Sequence, residues 1–488
     1  MRYISTRDIN KKSVTSMEAI KKGIASDGGL YVPIETPKYL PNNWKEVNYY
    51  ELANDIFSLY LTELSSSEIE EIVSNAYDNK FPSEITPCVT VGNLEILELF
   101  HGPTAAFKDI ALQALPRLLS KAMEKSDNDN EAIILVATSG DTGKAALEGF
   151  KDVPGCRIIV FYPKGGVSTI QEHQMLTTGG NNTFVVSVDG NFDDCQTEVK
   201  HIFGDESFND TLEASGMELT SANSINFGRL LPQIIYYYYG YGQMVKKNII
   251  GAGEEIQVVI PTGNFGNILA AYYAKKMGVP IGKLVCASNK NSVLTEAINK
   301  GKYNRVRPFF KTISPSMDIL ISSNFERFLF DMYEGNTEIC KSKFEELSND
   351  GEFQVSEETK EKWSSFLKAG TADDITTYKT IKQVFNRYGY LLDPHTAVGW
   401  NVLEQQKSKL PTLLVSTASP YKFPEAVLKA LGHDITNYNE MELIDYLAKM
   451  TNVPVPENLM GLNELTEHHD MHTSKVKMKE IISEILLT

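Results

Sequence analysis

The sequence LEILELFHGPTAAFKD occupies residues 94–109 and joins two different patterns. Residues 94–100 form an apolar run typical of a strand, and residues 110–123 have the spacing of apolar side chains that a helix requires. Lys108 therefore falls where a strand has ended and a helix begins, near a concentration of backbone N–H donors. A lysine in that position can form a Schiff base with a carbonyl compound, the chemistry of pyridoxal phosphate enzymes. Most lysines at a helix start are surface charges, so this interpretation also requires a phosphate-binding loop, a carboxylate-binding loop and a partner for the pyridine ring.

Outward from this unit, short apolar runs recur along the chain, and helical patterns separate most of them. They occupy residues 132–136, 157–162, 183–188, 256–260, 283–287 and 412–415. Short runs rich in β-branched residues and joined by helical crossovers indicate parallel sheets that are covered on both faces. The predicted fold class is therefore α/β.

The N-terminal region shows a different pattern, with helical spacing in two blocks at residues 17–22 and 50–75. The turn-rich segment DGGLYVP lies between them at residues 27–33, where glycines favour a turn. We expect a small, mostly helical domain here, because 488 residues are too many for a single compact core. Residues 345–362 are dense in charge, so we expect an exposed insertion or a solvated helix there.

The composition argues against several classes of function. The apolar fraction of 42% and the charged fraction of 23% are those of a soluble globular protein. The formal charge of −16 argues against nucleic-acid binding and against an anionic membrane surface, although a local cluster of cations could still hold an anionic substrate. The N-terminus does not resemble a signal peptide, and no run approaches ~20 apolar residues, so no membrane span is expected.

Cysteine and histidine usage gives no sign of a disulfide framework or a metal site. The five cysteines are odd in number and scattered, and no C-x-x-C occurs. This pattern favours a reducing compartment, and we expect the cytoplasm, although an organelle form without its transit peptide would look the same. His468, His469 and His472 could bind a metal, but with no second ligand cluster we interpret them as a polar surface tract.

The segment TSGDTG, residues 138–143, is a candidate anion site because it follows a strand and precedes a helix. Ser139 and Thr142 would add hydroxyl donors to the backbone N–H groups of the helix start, an arrangement suited to a carboxylate or phosphate. An ordinary helix-capping turn is the alternative.

The segment PTGNFGN, residues 261–267, has the same position between a strand and a helix. Gly263 and Gly266 let the backbone approach a ligand closely, and the dipole of the following helix favours a dianion. The loop matches neither the P-loop nor the dinucleotide fingerprint, so a compact phosphate site fits better.

Two further groups of polar residues complete the pattern. Asn223, Ser224 and Arg229 combine an amide, a hydroxyl and a guanidinium, which together can clamp a phosphate or carboxylate, although Arg229 could also be a surface cation. Thr417 follows a predicted strand at the edge where α/β sheets bind ligands, and it could face a ring nitrogen or cap a helix. With Lys108, these features predict a pyridoxal phosphate site that acts on an anionic amino acid.

These motifs and several others closely resemble those of the threonine synthase family, pyridoxal phosphate enzymes of the tryptophan-synthase-β fold (fold type II). The matching segments are DGGLYVP at 27–33, HGPTAAFKD at 101–109, SGDTG at 139–143, NSINFGR at 223–229, GNFGN at 263–267, SPSMDI at 314–319, SNFERFLF at 323–330, GYLLDPHTAVG at 389–399 and STASPYKF at 416–423. SPSMDI, SNFER and DPHTAVG distinguish this family from other pyridoxal phosphate lyases better than the lysine motif does. The long N-terminal region is similar to that of the longer branch of the family, shared by fungi and many bacteria.

The resemblance implies a role for each matched site residue. Lys108 is the implied Schiff-base lysine and catalytic group, and Thr417 the hydroxyl that faces the pyridine nitrogen. The implied cofactor-binding residues are Lys108, Gly263, Asn264, Phe265, Gly266, Asn267 and Thr417. The implied substrate-binding residues are Ser139, Gly140, Asp141, Thr142, Asn223, Ser224 and Arg229.

Three residues inside the matching motifs need separate comment. Shorter members of the family have asparagine where this chain has Asp141, and a carboxylate near the cofactor would need its charge compensated. His101 and His395 match the family without an assigned task, and we expect them to be structural hydrogen-bonding residues.

The resemblance also implies a reaction, the conversion of O-phospho-L-homoserine and water to L-threonine and phosphate by β,γ-elimination and hydration. Two alternatives stay open, a threonine-synthase-like phospho-lyase that releases 2-oxobutyrate and a non-catalytic binding protein on the same scaffold. We expect a small-molecule substrate, no nucleic-acid or membrane partner, no metal, and either a monomer or a homodimer.

The implied architecture has two parallel-type α/β domains around a cleft, in addition to the helical N-terminal domain. We place the N-terminal domain at residues 1–93 and the domain with the Schiff-base lysine and substrate loop at 94–250. The domain with the phosphate loop is placed at 251–440, and a helical C-terminal segment at 441–488.

Overall fold

The N-terminal region of the computed structural model, which describes residues 1–82, 84–126 and 130–487, combines a small sheet with helices. Its elements are β1 (Arg2–Ser5), β2 (Val14–Thr15), α1 (Ser16–Lys22), β3 (Tyr31–Pro33), α2 (Tyr49–Tyr60) and α3 (Ser66–Tyr77). The strands pair antiparallel in the order β2–β1–β3. The predicted helical block at 50–75 is two helices, because Ser65 and Glu68 form a capping box that starts α3 anew.

The middle of the chain alternates strands and helices as predicted. Its elements are β4 (Cys88–Val91), β5 (Leu94–Glu98), α4 (Lys108–Glu124), β6 (Glu131–Ala137), α5 (Asp141–Phe150), β7 (Cys156–Pro163), α6 (Thr169–Leu176), β8 (Thr183–Asp189), α7 (Phe192–Phe203), α8 (Glu206–Ala214), β9 (Met217–Thr220) and α9 (Phe227–Lys246). The predicted change from strand to helix across residues 94–123 is confirmed, with Lys108 as the first residue of α4.

The alternation continues in the C-terminal half. Its elements are β10 (Ile256–Pro261), α10 (Gly266–Met277), β11 (Ile281–Ser288), α11 (Val293–Lys300), β12 (Lys302–Asn304), α12 (Phe325–Met332), α13 (Thr337–Asn349), β13 (Glu352–Gln354), α14 (Glu357–Ser364), β14 (Leu367–Thr371), α15 (Asp374–Tyr388), α16 (Pro394–Gln405), β15 (Thr412–Ser416), α17 (Pro424–Leu431), α18 (Glu442–Thr451), β16 (Met471–Ser474) and α19 (Met478–Leu487). The charged segment 345–362 is not a simple insertion, because it forms the end of α13, β13 and most of α14, with Leu347 and Phe353 buried.

Within the described residues, two larger sheets organise the chain. One has five parallel strands in the order β16–β8–β7–β6–β9. The other has six strands in the order β14–β11–β10–β15–β5–β4, all parallel except the edge strand β4. Every apolar run predicted as a strand is a strand of one of these sheets, which confirms the α/β fold class.

The sheets do not follow the chain segments that we expected to form domains. β5 lies within the segment 94–250 but pairs with β15 in the six-stranded sheet. β16 lies in the C-terminal segment, expected to be helical, but pairs with β8 in the five-stranded sheet. The domain boundaries stay a prediction, and these two strands cross them because pairing partners far apart in sequence complete each sheet.

Helix α9 is buried along nearly its whole length, from Phe227 to Val245. It packs against α4, which carries Lys108, and against α10, which follows the GNFGN segment. Because α9 is buried on every face, it connects α4 and α10 through the core. In the part of the chain that the structure describes, no helix is long and apolar enough to cross a membrane.

Candidate active site

Lys108 reaches the site through a loop that is fastened to the end of strand β15. The Phe107 N–H donates to the Thr417 carbonyl oxygen at 2.8 Å, and the Ser419 N–H donates to the Ala105 carbonyl oxygen at 3.0 Å. Because β5 and β15 are neighbours in one sheet, the chain leaving β5 lies beside the chain leaving β15. The loop that carries the predicted lysine therefore lies directly beside the predicted ring-facing Thr417.

The amine of Lys108 is buried and has two polar neighbours. Its Nζ lies 3.5 Å from Asp141 Oδ2 and 3.4 Å from Ser316 Oγ, and the residue is only 9% exposed. Burial lowers the pKa of Lys108, which the positive charges of Lys422 and Arg229 also lower, while Asp141 opposes the shift. The shift is toward the neutral amine, which is the form that reacts with a carbonyl.

Asp141 begins α5 and is held by two side chains that the motif analysis did not assign. Lys422 Nζ lies 2.7 Å from Asp141 Oδ1, and Gln171 Nε2 donates to the same oxygen at 3.0 Å. Burial opposes ionisation of Asp141, but Lys422 and Lys108 outweigh it and hold its pKa well below the usual range. The charge compensation that a carboxylate here requires is therefore present.

The loop before α5 is shaped around these contacts. Gly140 has a positive φ of 134°, and a Cβ there would lie 2.2 Å from Gln171 Oε1, so only glycine fits. Thr138 Oγ1 accepts hydrogen bonds from the N–H groups of Gly140 and Gly143 at 3.0 and 2.9 Å. Thr138 therefore does the local capping, while Ser139 is exposed and Thr142 is partly exposed.

The GNFGN segment lies at the end of β10 and begins α10. Phe265 in this segment has a left-handed φ of 64°, and its ring packs on Phe325 and Phe328. Only the backbone of Phe265 is therefore free to contact a ligand. No side chain of the described residues caps α10. The first N–H groups of α10 are therefore available to an anion.

Asn267 adds an unpaired donor to this loop. Its Oδ1 accepts hydrogen bonds from the hydroxyls of Tyr236 and Tyr237 on α9, which fixes the orientation of the amide. Its Nδ2 has no hydrogen-bond partner among the described residues, although Asn267 is only 6% exposed. A buried donor without a partner indicates that a ligand acceptor belongs there.

Ser316 connects this loop to Lys108. A Cβ on Gly263 would lie 2.7 Å from the Ser316 carbonyl oxygen, so glycine is required for the two chains to approach. The Ser316 hydroxyl, in turn, is the group that lies 3.4 Å from Lys108 Nζ. Ser316 therefore links residues 263–267 to Lys108.

The third group of candidates lies at the start of α9. Asn324 Nδ2 donates to the Ser224 carbonyl oxygen at 3.0 Å, and the Asn324 N–H donates to the Asn264 carbonyl oxygen at 3.1 Å, so Ser224 lies beside the GNFGN loop. Arg229 is buried and donates from Nη1 to the Ala222 carbonyl oxygen at 3.0 Å. Asn223, in contrast, is exposed.

Arg229 has the properties of a cation that awaits an anionic ligand. Burial lowers its pKa to about 10. Among the described residues, no carboxylate forms an ion pair with it. Burying an unpaired guanidinium is costly, which favours a bound anion as its partner.

The two histidines of the matching motifs bind to carboxylates. His101 Nε2 lies 2.7 Å from Glu98 Oε2. His395 Nε2 accepts from the Ser316 N–H at 3.2 Å, so its Nδ1 is the protonated nitrogen and donates to Asp393 Oδ1 at 2.9 Å. This is the arrangement expected of structural hydrogen-bonding residues, and His395 also fixes the turn that carries Ser316.

Sequence reasoning missed four residues that contact the predicted set. Ser316, Asn324 and Lys422 lie inside matching motifs that received no role, so the signal was present but unassigned. Gln171 lies in α6 outside any motif, and nothing in the sequence marks its contact with Asp141. The tract that contains His468, His469 and His472 belongs to no group that could hold a metal within the described residues.

Comparison with known proteins places the chain in a family. Family models match three consecutive regions: "Threonine synthase N terminus" matches residues 2–77, "Pyridoxal-phosphate dependent enzyme" 84–415 and "Threonine synthase, C-terminal" 396–482. Threonine synthase-like 1 of Macaca fascicularis is 40% identical over 88% of this chain, which spans 60% of that relative's length. Threonine synthase of Saccharomyces cerevisiae is 38% identical, over 90% of this chain and 90% of its own.

A solved structure agrees with the sequence comparison. The structure of pyridoxal phosphate-bound threonine synthase from Brucella melitensis superposes with a TM-score of 0.89 at 34% identity, with 100% of both chains covered. The chain belongs to the threonine synthase family of pyridoxal-phosphate dependent enzymes.

Proposed function

We propose that this chain is a threonine synthase that converts O-phospho-L-homoserine and water to L-threonine and phosphate. The observation that carries the proposal is a buried amine, Lys108, between two separate anion sites, the uncapped start of α10 and the unpaired Arg229. One anion site suits the phosphate of the cofactor, and the second suits the phosphate of the substrate. A substrate with a single carboxylate and no phosphate would leave Arg229 without an acceptor.

The residues present fit pyridoxal phosphate. Its phosphate would be held by Gly263, Asn264, Phe265, Gly266 and Asn267, where the Asn267 Nδ2 lacks a protein acceptor. The aldehyde would bind Lys108, and the ring nitrogen would face the hydroxyl of Thr417. Bound there, pyridoxal phosphate supplies a conjugated ring that withdraws electrons from the substrate's Cα.

The chain's own residues account for proton movement and charge stabilisation. Lys108 Nζ is the proposed base, since burial favours its neutral form, and it would take the proton from Cα and return one at the end. We assign Ser139, Gly140, Asp141 and Thr142 to the substrate-binding loop. Asn223, Ser224 and Arg229 would hold the substrate's phosphate, and Arg229 would stabilise its charge as it leaves.

A second candidate function is a phospho-lyase that releases 2-oxobutyrate. This alternative stays open because the chain is about as similar to a protein named threonine synthase-like, Threonine synthase-like 1 of Macaca fascicularis at 40% identity, as to the yeast threonine synthase at 38%. Both reactions would release phosphate, so phosphate release alone does not separate them. They differ in whether water is added at Cβ.

The test is to incubate the purified holoenzyme with O-phospho-L-homoserine and to identify the organic product. L-Threonine in equal amount to phosphate would support the proposal, and 2-oxobutyrate in that ratio would support the second candidate. Binding of the substrate without phosphate release would point to the non-catalytic binding protein. Lys108→Ala is the control, and turnover by that variant would remove Lys108 from its role.

We also propose a cytoplasmic location and either a monomer or a homodimer. The five cysteines are free, and four of them are buried, which supports a reducing compartment. Fractionation of cells with an antibody against the chain tests the location. Light scattering on the purified chain tests the oligomeric state.

A further inference from the structure

The buried ion pair between Lys422 and Asp141 has no role in the proposed reaction as described so far. Lys422 ends the short 3-10 turn Pro420–Lys422 that follows β15, and its side chain has no solvent exposure. Its Nζ lies 2.7 Å from Asp141 Oδ1 and donates to the Thr104 carbonyl oxygen at 2.8 Å. Thr104 belongs to the loop that delivers Lys108, so Lys422 contacts both sides of the cleft.

Asp141 presents its two oxygens to two different lysines. Oδ1 faces Lys422 at 2.7 Å, and Oδ2 faces Lys108 at 3.5 Å. The shorter contact, supported by the Gln171 donor on the same oxygen, makes Lys422 the principal partner of the carboxylate. Without Lys422, Lys108 would be the nearest cation to a buried carboxylate, which would favour its ammonium form.

The other charged groups do not replace Lys422. Arg229 on α9 is the further cation that acts on Lys108. Asp109 accepts a hydrogen bond from Thr104, and Lys144 forms an ion pair with Glu148. The turn that carries Ser316 brings His395, which is bound to Asp393, and Asp318, which is bound to Thr312 and Asn289. Asp141 is therefore the carboxylate at the amine, and Lys422 is the cation bound to it.

We propose that Lys422 is a positioning residue that neutralises Asp141, so that the carboxylate does not hold Lys108 in its ammonium form. The inference rests on the proposed function in that Lys108 is taken as the reactive amine. It predicts that the charges of Lys422 and Asp141 matter only as a pair. Removing one should disturb Lys108, and removing both should restore it.

The test measures the protonation of Lys108 without turnover. The full-length chain is freed of cofactor, and the rate at which it captures pyridoxal phosphate is followed by absorbance as a function of pH. Only the neutral amine attacks the aldehyde, so the midpoint of the rate profile reports the Lys108 pKa. The acid limb of the kcat profile at saturating O-phospho-L-homoserine provides a second reading, because kcat reports the groups of the substrate complex.

Four variants separate charge from structure. Lys422→Met keeps the stem and removes the charge, and we expect its midpoint to rise by about one pH unit, so that the rate measured at the pH of the wild-type midpoint falls about fivefold. Lys422→Arg keeps the charge and should keep the midpoint. Asp141→Asn combined with Lys422→Met should return the midpoint to within about 0.3 units. Lys429→Met, which removes an exposed lysine one helix away on α17, should change nothing.

An unchanged midpoint in a folded Lys422→Met chain would overturn the inference, as would a double variant that stays shifted as far as the single one. If Lys422→Met does not fold, a shifted midpoint in Lys422→Arg or in the double variant would still overturn the inference. A chain that shows the midpoint shifts but makes no threonine would contradict the proposed function and leave this inference intact. Capture by Lys108→Ala at the wild-type rate would contradict both the Lys108 assignment and the inference.

Discussion

The variant Gly263→Ala tests the close contact between Gly263 and the turn that carries Ser316. A Cβ at this position would lie 2.7 Å from the Ser316 carbonyl oxygen and 3.4 Å from Met317 Cα. An ordinary contact is about 3.4 Å, so the backbone of the Ser316 turn must retreat by roughly 0.7 Å. Overpacking of this kind costs about 1–3 kcal/mol, because both partners are backbone held by other contacts.

The displaced turn is the one that places the Ser316 hydroxyl 3.4 Å from Lys108 Nζ. We therefore expect Gly263→Ala to lower the thermal unfolding midpoint of the cofactor-free chain by several degrees. Binding of pyridoxal phosphate should weaken by at least tenfold, since about 1.4 kcal/mol corresponds to a factor of ten. Calorimetry and a fluorescence titration of the cofactor-free chain give the two numbers.

Gly266→Ala in the same loop is the matched control for stability. The nearest atom to a Cβ at Gly266 is Asn324 Nδ2 at 3.5 Å, which is an ordinary contact. The cofactor-free Gly266→Ala chain should therefore unfold at or above the wild-type midpoint. The reasoning is refuted if the two variants lower the midpoint equally, or if Gly263→Ala leaves it unchanged.

Three further perturbations have signs that the structure determines. Arg229→Leu should raise the KM for O-phospho-L-homoserine at least tenfold. The unfolding midpoint of the cofactor-free chain should not fall, because the variant removes a buried charge that has no carboxylate partner among the described residues. A clear drop in that midpoint would contradict this expectation. Glu326→Gln should cost about 1–2 kcal/mol in unfolding free energy by urea titration, because Glu326 accepts from Arg7 Nε and Nη2 at 2.8 and 2.7 Å. Burial raises the pKa of Asp109 to about 6 from its ordinary 3.8, so the folded chain keeps a proton that the unfolded chain releases, and this contribution to stability is lost as pH rises from about 4 to about 6. The unfolding midpoint of the wild type should therefore fall relative to Asp109→Asn across that range, and parallel curves would contradict the assignment.

The elements of the fold were predictable because each one leaves a local pattern. The runs at 132–136 and 256–260 are strands, since short β-branched segments buried on both faces are continuously apolar. The pairing of β5 with β15, and of β16 with β8, leaves no such pattern. The order of strands in a sheet depends on the path of the chain between them, and the side chains of a single strand give no information on that path.

The candidate site divides in the same way. Lys108 and the GNFGN segment were predictable because a glycine loop or a lone lysine at a helix start reflects a local demand of the backbone. Gln171 was not, because its contact with Asp141 leaves no mark in the sequence, and Lys422 lies in a matching motif that does not reveal its contact with Asp141. The sequence did predict that such a partner is needed, since a carboxylate at Asp141 requires charge compensation.

The local charge of the site is opposite in sign to that of the whole chain. The protein carries a formal charge of −16, yet Lys108 and Lys422 both face Asp141, and the charge of Arg229 acts on Lys108. Lys422 and Asp141 form an ion pair, and among the described residues no carboxylate forms an ion pair with Arg229. The starts of α4 and α10 add backbone N–H groups that no side chain caps among the described residues. One buried cation and two helix starts attract anions locally, which is what the proposed binding of a phosphorylated cofactor and a phosphorylated substrate requires of an acidic protein.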